Sequence, residues 1–390
     1  MPNSFFSHLE CSECLAVFSK SEIQTFCSSC NAPLSAKYTI PLKGLSKSVL
    51  KNREKNMWRY HEMLPIENSE HIISLGEGFS PLLKVNNIAL SLSLSNLYIK
   101  DESMNPTGSF KARGLSMAIS KAKEFGISKV AIPTAGNAGS AMSAYAAKAK
   151  IESYVFMPIV TPSVFKMDCK FFGAHVTFVN GSIRDCGIEM NRQNLQKQWF
   201  DISTLKEPYR LEGKKTMGYE IAEQMNWQLP DVIIYPAGGG TGLIGIWKAF
   251  QEMLALGWIT SIPTRMVCVQ AEGCSPIVDA FNLGLDFGKP IENPEETIAN
   301  GLRVPSPFGH KWMLRVIKQS KGTAVKVSDD EMQQGVQEIA QSEGLFVAPE
   351  GAATWMALKK LLNQGWLKPT EKIVLLNTGS AYKYLENLLR

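Results

Sequence analysis

The sequence predicts an α/β protein whose parallel sheets are covered by helices on both faces. Two observations carry this expectation. Short, near-continuous apolar runs alternate with helical segments along most of the chain, and polar or glycine-rich turns join each run to the helix after it. A third observation marks the amino end: Cys11-x-x-Cys14 and Cys27-x-x-Cys30 stand twelve residues apart.

At 390 residues the chain has room for two compact domains and a small appended module. Its 45% apolar and 20% charged residues are those of a globular protein. A net charge of +5, with lysines scattered rather than massed, gives no reason to expect nucleic acid or a membrane as partner. No stretch of apolar residues is long enough to span a bilayer, and the window from Val232 to Phe250 is interrupted by Gly238, Gly239 and Gly240. No basic region followed by an apolar core opens the sequence, so no signal peptide is expected, and the cysteine usage fits a reducing cytoplasm.

In chain order, the four cysteines come first. Two such knuckles supply soft thiolates that can surround one Zn²⁺ tetrahedrally, and Leu15, Val17, Phe18, Ile23 and Phe26 between them suit a small hairpin. A segment this short buries too little to fold alone, so the metal would be structural and would supply folding free energy. The bland reading is four reduced cysteines in a flexible tail. Residues 41–75 read as a connector with a helix packing on the main body. Leu97-Tyr98-Ile99 is then a short strand, followed by the polar turn Asp101–Gly108 and a helix with apolar spacing at Leu115, Met117, Ala118, Ile119 and Ala122. This arrangement places Lys111 at the mouth of a helix, where the positive end of the dipole disfavours the ammonium and favours a neutral, nucleophilic amine. A solvated lysine in a surface turn is the alternative.

The alternation continues with strands at Val130–Ile132, Tyr154–Phe156 and Val176–Val179, and helices at Ala138–Ala149 and Ser163–Phe172. A polar helix is expected through Gln198 and another from Gly213 to Trp227. Strands follow at Val232–Tyr235, Met266–Val269, Ala324–Val327 and Ile373–Leu376, with a capping box at Ser328–Glu331 and a helix over Ala352–Leu362. The loop Pro133–Gly139, carrying Asn137, sits between strand and helix, where ligands of open α/β sheets gather. Its asparagine can equally cap the following helix. Pro236-Ala237-Gly238-Gly239-Gly240-Thr241-Gly242 follows the strongest strand and opens a helix. Glycines let the backbone wrap a phosphate at the positive end of a helix, Thr241 adds a hydroxyl, and no nucleotide-loop lysine follows. Glu350 reads either as a buried acid in the same cleft or as a charge at a helix N-terminus.

Asn105-Pro106-Thr107-Gly108-Ser109-Phe110-Lys111-Ala112-Arg113-Gly114 resembles the lysine motif of the fold-type II pyridoxal-phosphate enzymes. Gly76-Glu77-Gly78-Phe79-Ser80-Pro81-Leu82 and Arg210-Leu211-Glu212-Gly213-Lys214-Lys215-Thr216 are similar to threonine synthase segments, and Asn377-Thr378-Gly379 to their terminal Thr-Gly segment. The resemblance covers roughly residues 75–385 and implies two parallel-sheet α/β domains. A zinc-ribbon-like module would occupy 1–40, a large cofactor-binding domain 41–104 and 211–390, and a small domain 105–210. It implies that Lys111 carries pyridoxal 5′-phosphate as a Schiff base and shuttles protons, and that Asn137 faces the cofactor's phenolic oxygen. Gly238, Gly239, Gly240, Thr241 and Gly242 would hold the 5′-phosphate, and Thr378 would face the pyridine nitrogen. A neutral hydroxyl there makes the ring a weaker electron sink and favours eliminations and replacements. The implied activity is conversion of O-phosphohomoserine and water to threonine and phosphate by a homodimer. A threonine/serine ammonia-lyase or a β-replacement enzyme on another amino acid is the alternative. The chain departs from threonine synthases at Ala135–Gly139, where hydroxyls are usual, and at Pro158–Pro162, which lacks their lysine-glycine run. Donors to a substrate phosphate are therefore sought at Arg113, Ser140, Lys166 and Arg303.

Overall fold

A computed structural model describes residues 4–41 and 44–389. In chain order the strands and helices begin with β1 (Phe6–Cys11), β2 (Val17–Phe18), β3 (Leu34–Tyr38), β4 (Leu82–Lys84), α1 (Asn87–Ser91) and β5 (Asn96–Asp101). Then come α2 (Lys111–Glu124), β6 (Lys129–Pro133), α3 (Asn137–Ala149), β7 (Glu152–Pro158), α4 (Ser163–Phe171), β8 (His175–Val179), α5 (Ile183–Gln193) and β9 (Phe200–Asp201). The chain continues through α6 (Tyr209–Gln224), β10 (Val232–Pro236), α7 (Thr241–Ala255), β11 (Arg265–Ala271), α8 (Pro276–Asn282) and α9 (His310–Gln319). It ends with β12 (Thr323–Val327), α10 (Asp329–Glu343), α11 (Pro349–Asn363), β13 (Lys372–Asn377) and α12 (Leu385–Leu388).

The chain divides into two compact units. Unit 1 comprises residues 1–79, 105–107 and 111–216. It holds an antiparallel three-stranded sheet, β2-β1-β3, and a parallel four-stranded sheet in the order β8-β7-β6-β9. Unit 2 comprises residues 80–104, 108–110 and 217–390. Its six-stranded sheet runs β12-β11-β10-β13-β5-β4, parallel except for the edge strand β4. Each α/β sheet has its own apolar core. In unit 1 this joins Leu115, Ile119, Val130, Met142, Val155 and Tyr209; in unit 2 it joins Leu97, Ile234, Val267, Val325, Leu358 and Leu375. The interior strands β10 and β13 are buried on both faces, as their unbroken apolar runs require.

Two expected helix boundaries shift, and the helix expected between residues 41 and 75 does not form, each for a local reason. The polar helix α5 stops at Gln193 because Asn194 turns its side chain onto Trp199, donating from Nδ2 to the Trp199 carbonyl and accepting its N–H at Oδ1. Helix α6 starts at Tyr209, earlier than expected, because the Glu207 carboxylate takes up the otherwise unpaired N–H groups of Tyr209 and Arg210. Between residues 41 and 75 the described chain forms three 3₁₀ turns, Lys47–Asn52, Met57–Met63 and Ser69–His71. Ser46, Asn56 and Asn68 cap them, and such local side-chain bonds compete with a longer helix. The capping box at Ser328 and Glu331 forms as expected.

Candidate active site

In unit 2, β10, β13 and β5 are parallel neighbours, so the loops leaving their carboxyl ends lie along one sheet edge. Gly238–Gly240 leaves β10 and leads into α7, whose N-cap Gly240 has φ +77°, a left-handed conformation that favours glycine. Side chains are excluded from this turn by close packing. A Cβ on Gly238 would stand 2.2 Å from the Gly301 carbonyl oxygen, and one on Gly242 would stand 1.8 Å from the Tyr235 hydroxyl. Thr378 leaves β13.

The segment after β5 folds back onto the Thr378 loop. Phe110 N–H donates to the Thr378 carbonyl at 3.1 Å, Ser380 N–H donates to the Gly108 carbonyl at 2.9 Å, and Ser109 pairs with Gly379 as an antiparallel bridge. The Phe110 ring meets Tyr235 edge-on at 6.3 Å, at the end of β10. The residue immediately before Lys111 is thus fixed by two adjacent strand ends. Asn377 anchors the same edge, accepting the Ala348 N–H at 3.2 Å and donating to Asp101 at 2.8 Å. Glu350 is the helix N-terminal charge its sequence allowed. It is buried, it lies in the first turn of α11, and its carboxylate accepts the Gly301 N–H at 2.8 Å and the Tyr384 hydroxyl at 2.9 Å.

In unit 1, Lys111 is the first residue of α2 and Asn137 the first of α3. The two helices pack on one another and are joined through β6, so the chain reverses twice and their first residues point from the same end. Asn137 does not cap its helix: the N-cap is Gly136, without a side-chain bond. Ser140, in the first turn of α3, buries a hydroxyl that has no hydrogen-bond partner among the described residues.

A buried charge cluster that the sequence reading passed over stands at the start of α6. Arg210 is fully buried; one guanidinium nitrogen donates to the Ile202 carbonyl at 2.6 Å, while Nε and Nη2 find no partner among the described residues. Burial pushes the Glu207 carboxyl up to about 7, against the pull of Arg210 and the N–H groups it accepts. Burial also holds the Lys214 amine well below the ordinary lysine range, and the charges of Arg210 and Lys111 push it the same way. Of the other donors expected, Arg113 bonds Thr216 at 3.0 Å, Arg303 bonds the Pro294 carbonyl at 3.0 Å, and Lys166 reaches the Ile159 carbonyl. The one signal for Arg210 in the sequence was its place in the Arg-x-Glu-Gly segment.

At the amino end, the sulfurs of Cys11, Cys14, Cys27 and Cys30 all lie within 4.8 Å of one another. Cys11 and Cys30 are 3.4 Å apart and Cys14 and Cys27 3.6 Å, close to the spacing of roughly 3.8 Å that four thiolates take around a tetrahedral zinc. Backbone N–H groups of Glu13 and Cys14 point at the Cys11 sulfur, each at 3.4 Å.

The family described as pyridoxal-phosphate dependent enzyme matches residues 73–379. The chain belongs to that family. Threonine synthase of Methanosarcina acetivorans is 35% identical to it over 96% of this chain and 92% of its own. Threonine synthase of Methanocaldococcus jannaschii is 37% identical over 87% and 83%. Among solved structures, the processed form of threonine deaminase isoform 2 from Solanum lycopersicum superposes with a TM-score of 0.70 at 18% identity, covering 90% of this chain and 95% of that one. At that identity the likeness speaks for the fold. The protein is a threonine synthase-like, pyridoxal-phosphate-dependent enzyme with parallel-sheet α/β architecture. No helix among the described residues is long and apolar enough to cross a membrane.

The residues fit the cofactor. Among the described residues, nothing accepts a hydrogen bond from the N–H groups of Gly239 and Gly240, which stand at the N-terminus of α7 as donors to an anion. Ser109, two residues before Lys111 in the chain, buries a hydroxyl without a partner among them.

Proposed function

We propose that this chain converts O-phosphohomoserine and water to threonine and phosphate. The identity of 35–37% to two threonine synthases over most of the chain carries the reading. When bound, pyridoxal phosphate supplies an electron sink for charge developing on the substrate carbons. The Lys111 amine would hold it covalently and would serve as the base that moves protons at Cα and Cβ of the substrate. Its footing on the Phe110–Thr378 hydrogen bond and on the first turn of α2 keeps that amine in place. The amide of Asn137 would hold the cofactor's phenolic oxygen. The N–H groups of Gly238, Gly239, Gly240 and Gly242 and the hydroxyl of Thr241 would hold the 5′-phosphate at the start of α7. The hydroxyl of Thr378, neutral and a poor proton source, would serve the ring nitrogen. Arg210 and Ser140, buried donors with unused N–H and O–H groups, are assigned to the substrate's own phosphate. Phosphate would leave from Cγ, Cγ would take up a proton to become the methyl group, and water would add at Cβ. Cys11, Cys14, Cys27 and Cys30 would hold one structural zinc, and a shell of four thiolates would leave no position for chemistry.

A second reading, ammonia release from threonine or serine, draws on Ala135 and Ala138 standing where hydroxyls would serve a phosphorylated substrate. The purified holoenzyme decides between them. The first reading expects phosphate and threonine in equal amounts from O-phosphohomoserine. Keto acid from threonine or serine, with no turnover of the phospho-amino acid, would refute it.

A further inference from the structure

The small antiparallel sheet at the amino end touches both helices that frame the lysine. On β3, Tyr38 donates its hydroxyl to Glu212 at 2.7 Å, and its ring lies 3.9 Å from the Lys215 ammonium. Glu212 and Lys215 form an ion pair at 2.6 Å on α6, and neither side chain is exposed. A buried pair of this kind is costly unless its remaining donors and acceptors are occupied, and Tyr38 serves both partners at once. On β1, Phe6 places its ring 5.3 Å from the Lys121 ammonium of α2.

Helices α6 and α2 in turn cross backbone to backbone. A Cβ on Gly213 would stand 2.1 Å from the Arg113 carbonyl oxygen, and one on Gly114 would stand 2.9 Å from the Arg210 carbonyl oxygen. At the same crossing Arg113 donates to the Thr216 hydroxyl at 3.0 Å, and Thr216 donates to the Gly213 carbonyl at 2.6 Å. The two backbones meet at the glycines, with the Lys214 side chain and the Met117 Cβ packed beside them, so a displacement of α6 passes to the first turn of α2, where Lys111 stands.

We propose that Tyr38 is a positioning residue for Lys111: it fixes α6 through Glu212 and Lys215, and α6 fixes the lysine-bearing turn through the Gly213–Gly114 crossing. The amino-terminal sheet is then a strut for the active site and not an independent head. This rests on the reading that Lys111 holds the cofactor.

The test is the release of cofactor from the holoenzyme, followed as loss of its visible band against an amine scavenger, with backbone amide exchange in the first turn of α2 as a second readout. Tyr38→Phe keeps the ring over Lys215 and removes the hydroxyl that bonds Glu212. It is expected to speed release by roughly 3- to 10-fold and to raise exchange at residues 111–114, with the thermal midpoint nearly unchanged. Thr216→Val, which cuts the link nearest the lysine, should act in the same direction. The double variant should match the larger single effect instead of their product, since both lie on one path. Where Tyr38→Phe does not fold, Phe6→Leu unseats the same sheet from Lys121 and is read the same way. Release and exchange like the parent protein, or effects that multiply, would overturn the inference. If Lys111→Ala retains the visible band, the reading of Lys111 itself fails; if it loses the band while Tyr38→Phe behaves as the parent, only the strut fails.

Discussion

Glu207 shows how a single buried group sets a measurable property. Its folded-state value of about 7 lies above the ordinary carboxyl value of 4.5 because burial penalises the charged form. A group raised on folding contributes stability below its unfolded value and loses it as pH climbs to the folded one. The chain should therefore lose on the order of 3 kcal/mol of stability between about pH 4.5 and about pH 7 through this residue alone. In Glu207→Gln, which can still accept the Tyr209 and Arg210 N–H groups, that slope should vanish from denaturant midpoints taken across the window. An undiminished slope would place the titration elsewhere. Lys111→Ala should bind no cofactor through gel filtration and show no visible band; a retained band refutes its role. Lys111 and Asn137 were legible because motif and position coincide at helix starts. Glu207, Arg210 and Lys214 were not, since a charged run on a helix ordinarily reads as a solvated face, and only the packing of neighbouring elements buries it.

Helices α2, α6 and α7 owe their placement to glycines. Gly213→Ala should destabilise the fold by about 1–3 kcal/mol or more, because its methyl meets a backbone carbonyl that cannot rotate away. Thermal unfolding measures this, and a midpoint equal to the parent's would mean the α2–α6 crossing is looser than described. In Gly242→Ala the methyl displaces the Tyr235 hydroxyl, disturbing the aromatic contact that seats Phe110, so cofactor affinity should fall by about tenfold or more. Wild-type affinity would show that Phe110 holds its place without Tyr235. The strands of both sheets were readable from apolar runs alone, as at Val232–Pro236 and Lys372–Asn377. The start of α6 was not, because the cap comes from Glu207 side-chain geometry, and neither were the 3₁₀ turns, which three polar caps favour over a longer helix.

For the molecule as a whole, the α/β architecture and the cofactor family followed from alternating elements and a few short motifs, whereas the docking of the amino-terminal sheet did not. That sheet is joined to α2 and α6 by aromatic–cation and hydroxyl–carboxylate contacts, and no local pattern in residues 4–38 announces them. Protein isolated without chelator should carry one zinc per chain, and Cys27→Ser should lose it with melting of the amino-terminal sheet; an unaltered sheet in the metal-free variant would contradict a structural ion. The claim that everything else depends on is the covalent attachment of the cofactor at the first residue of α2. Hydride reduction of the holoenzyme, followed by peptide mapping, tests it directly. The account predicts a pyridoxyl group on the peptide containing Lys111 and on no other, and finding it on Lys214, on Lys166 or on no lysine at all would contradict it.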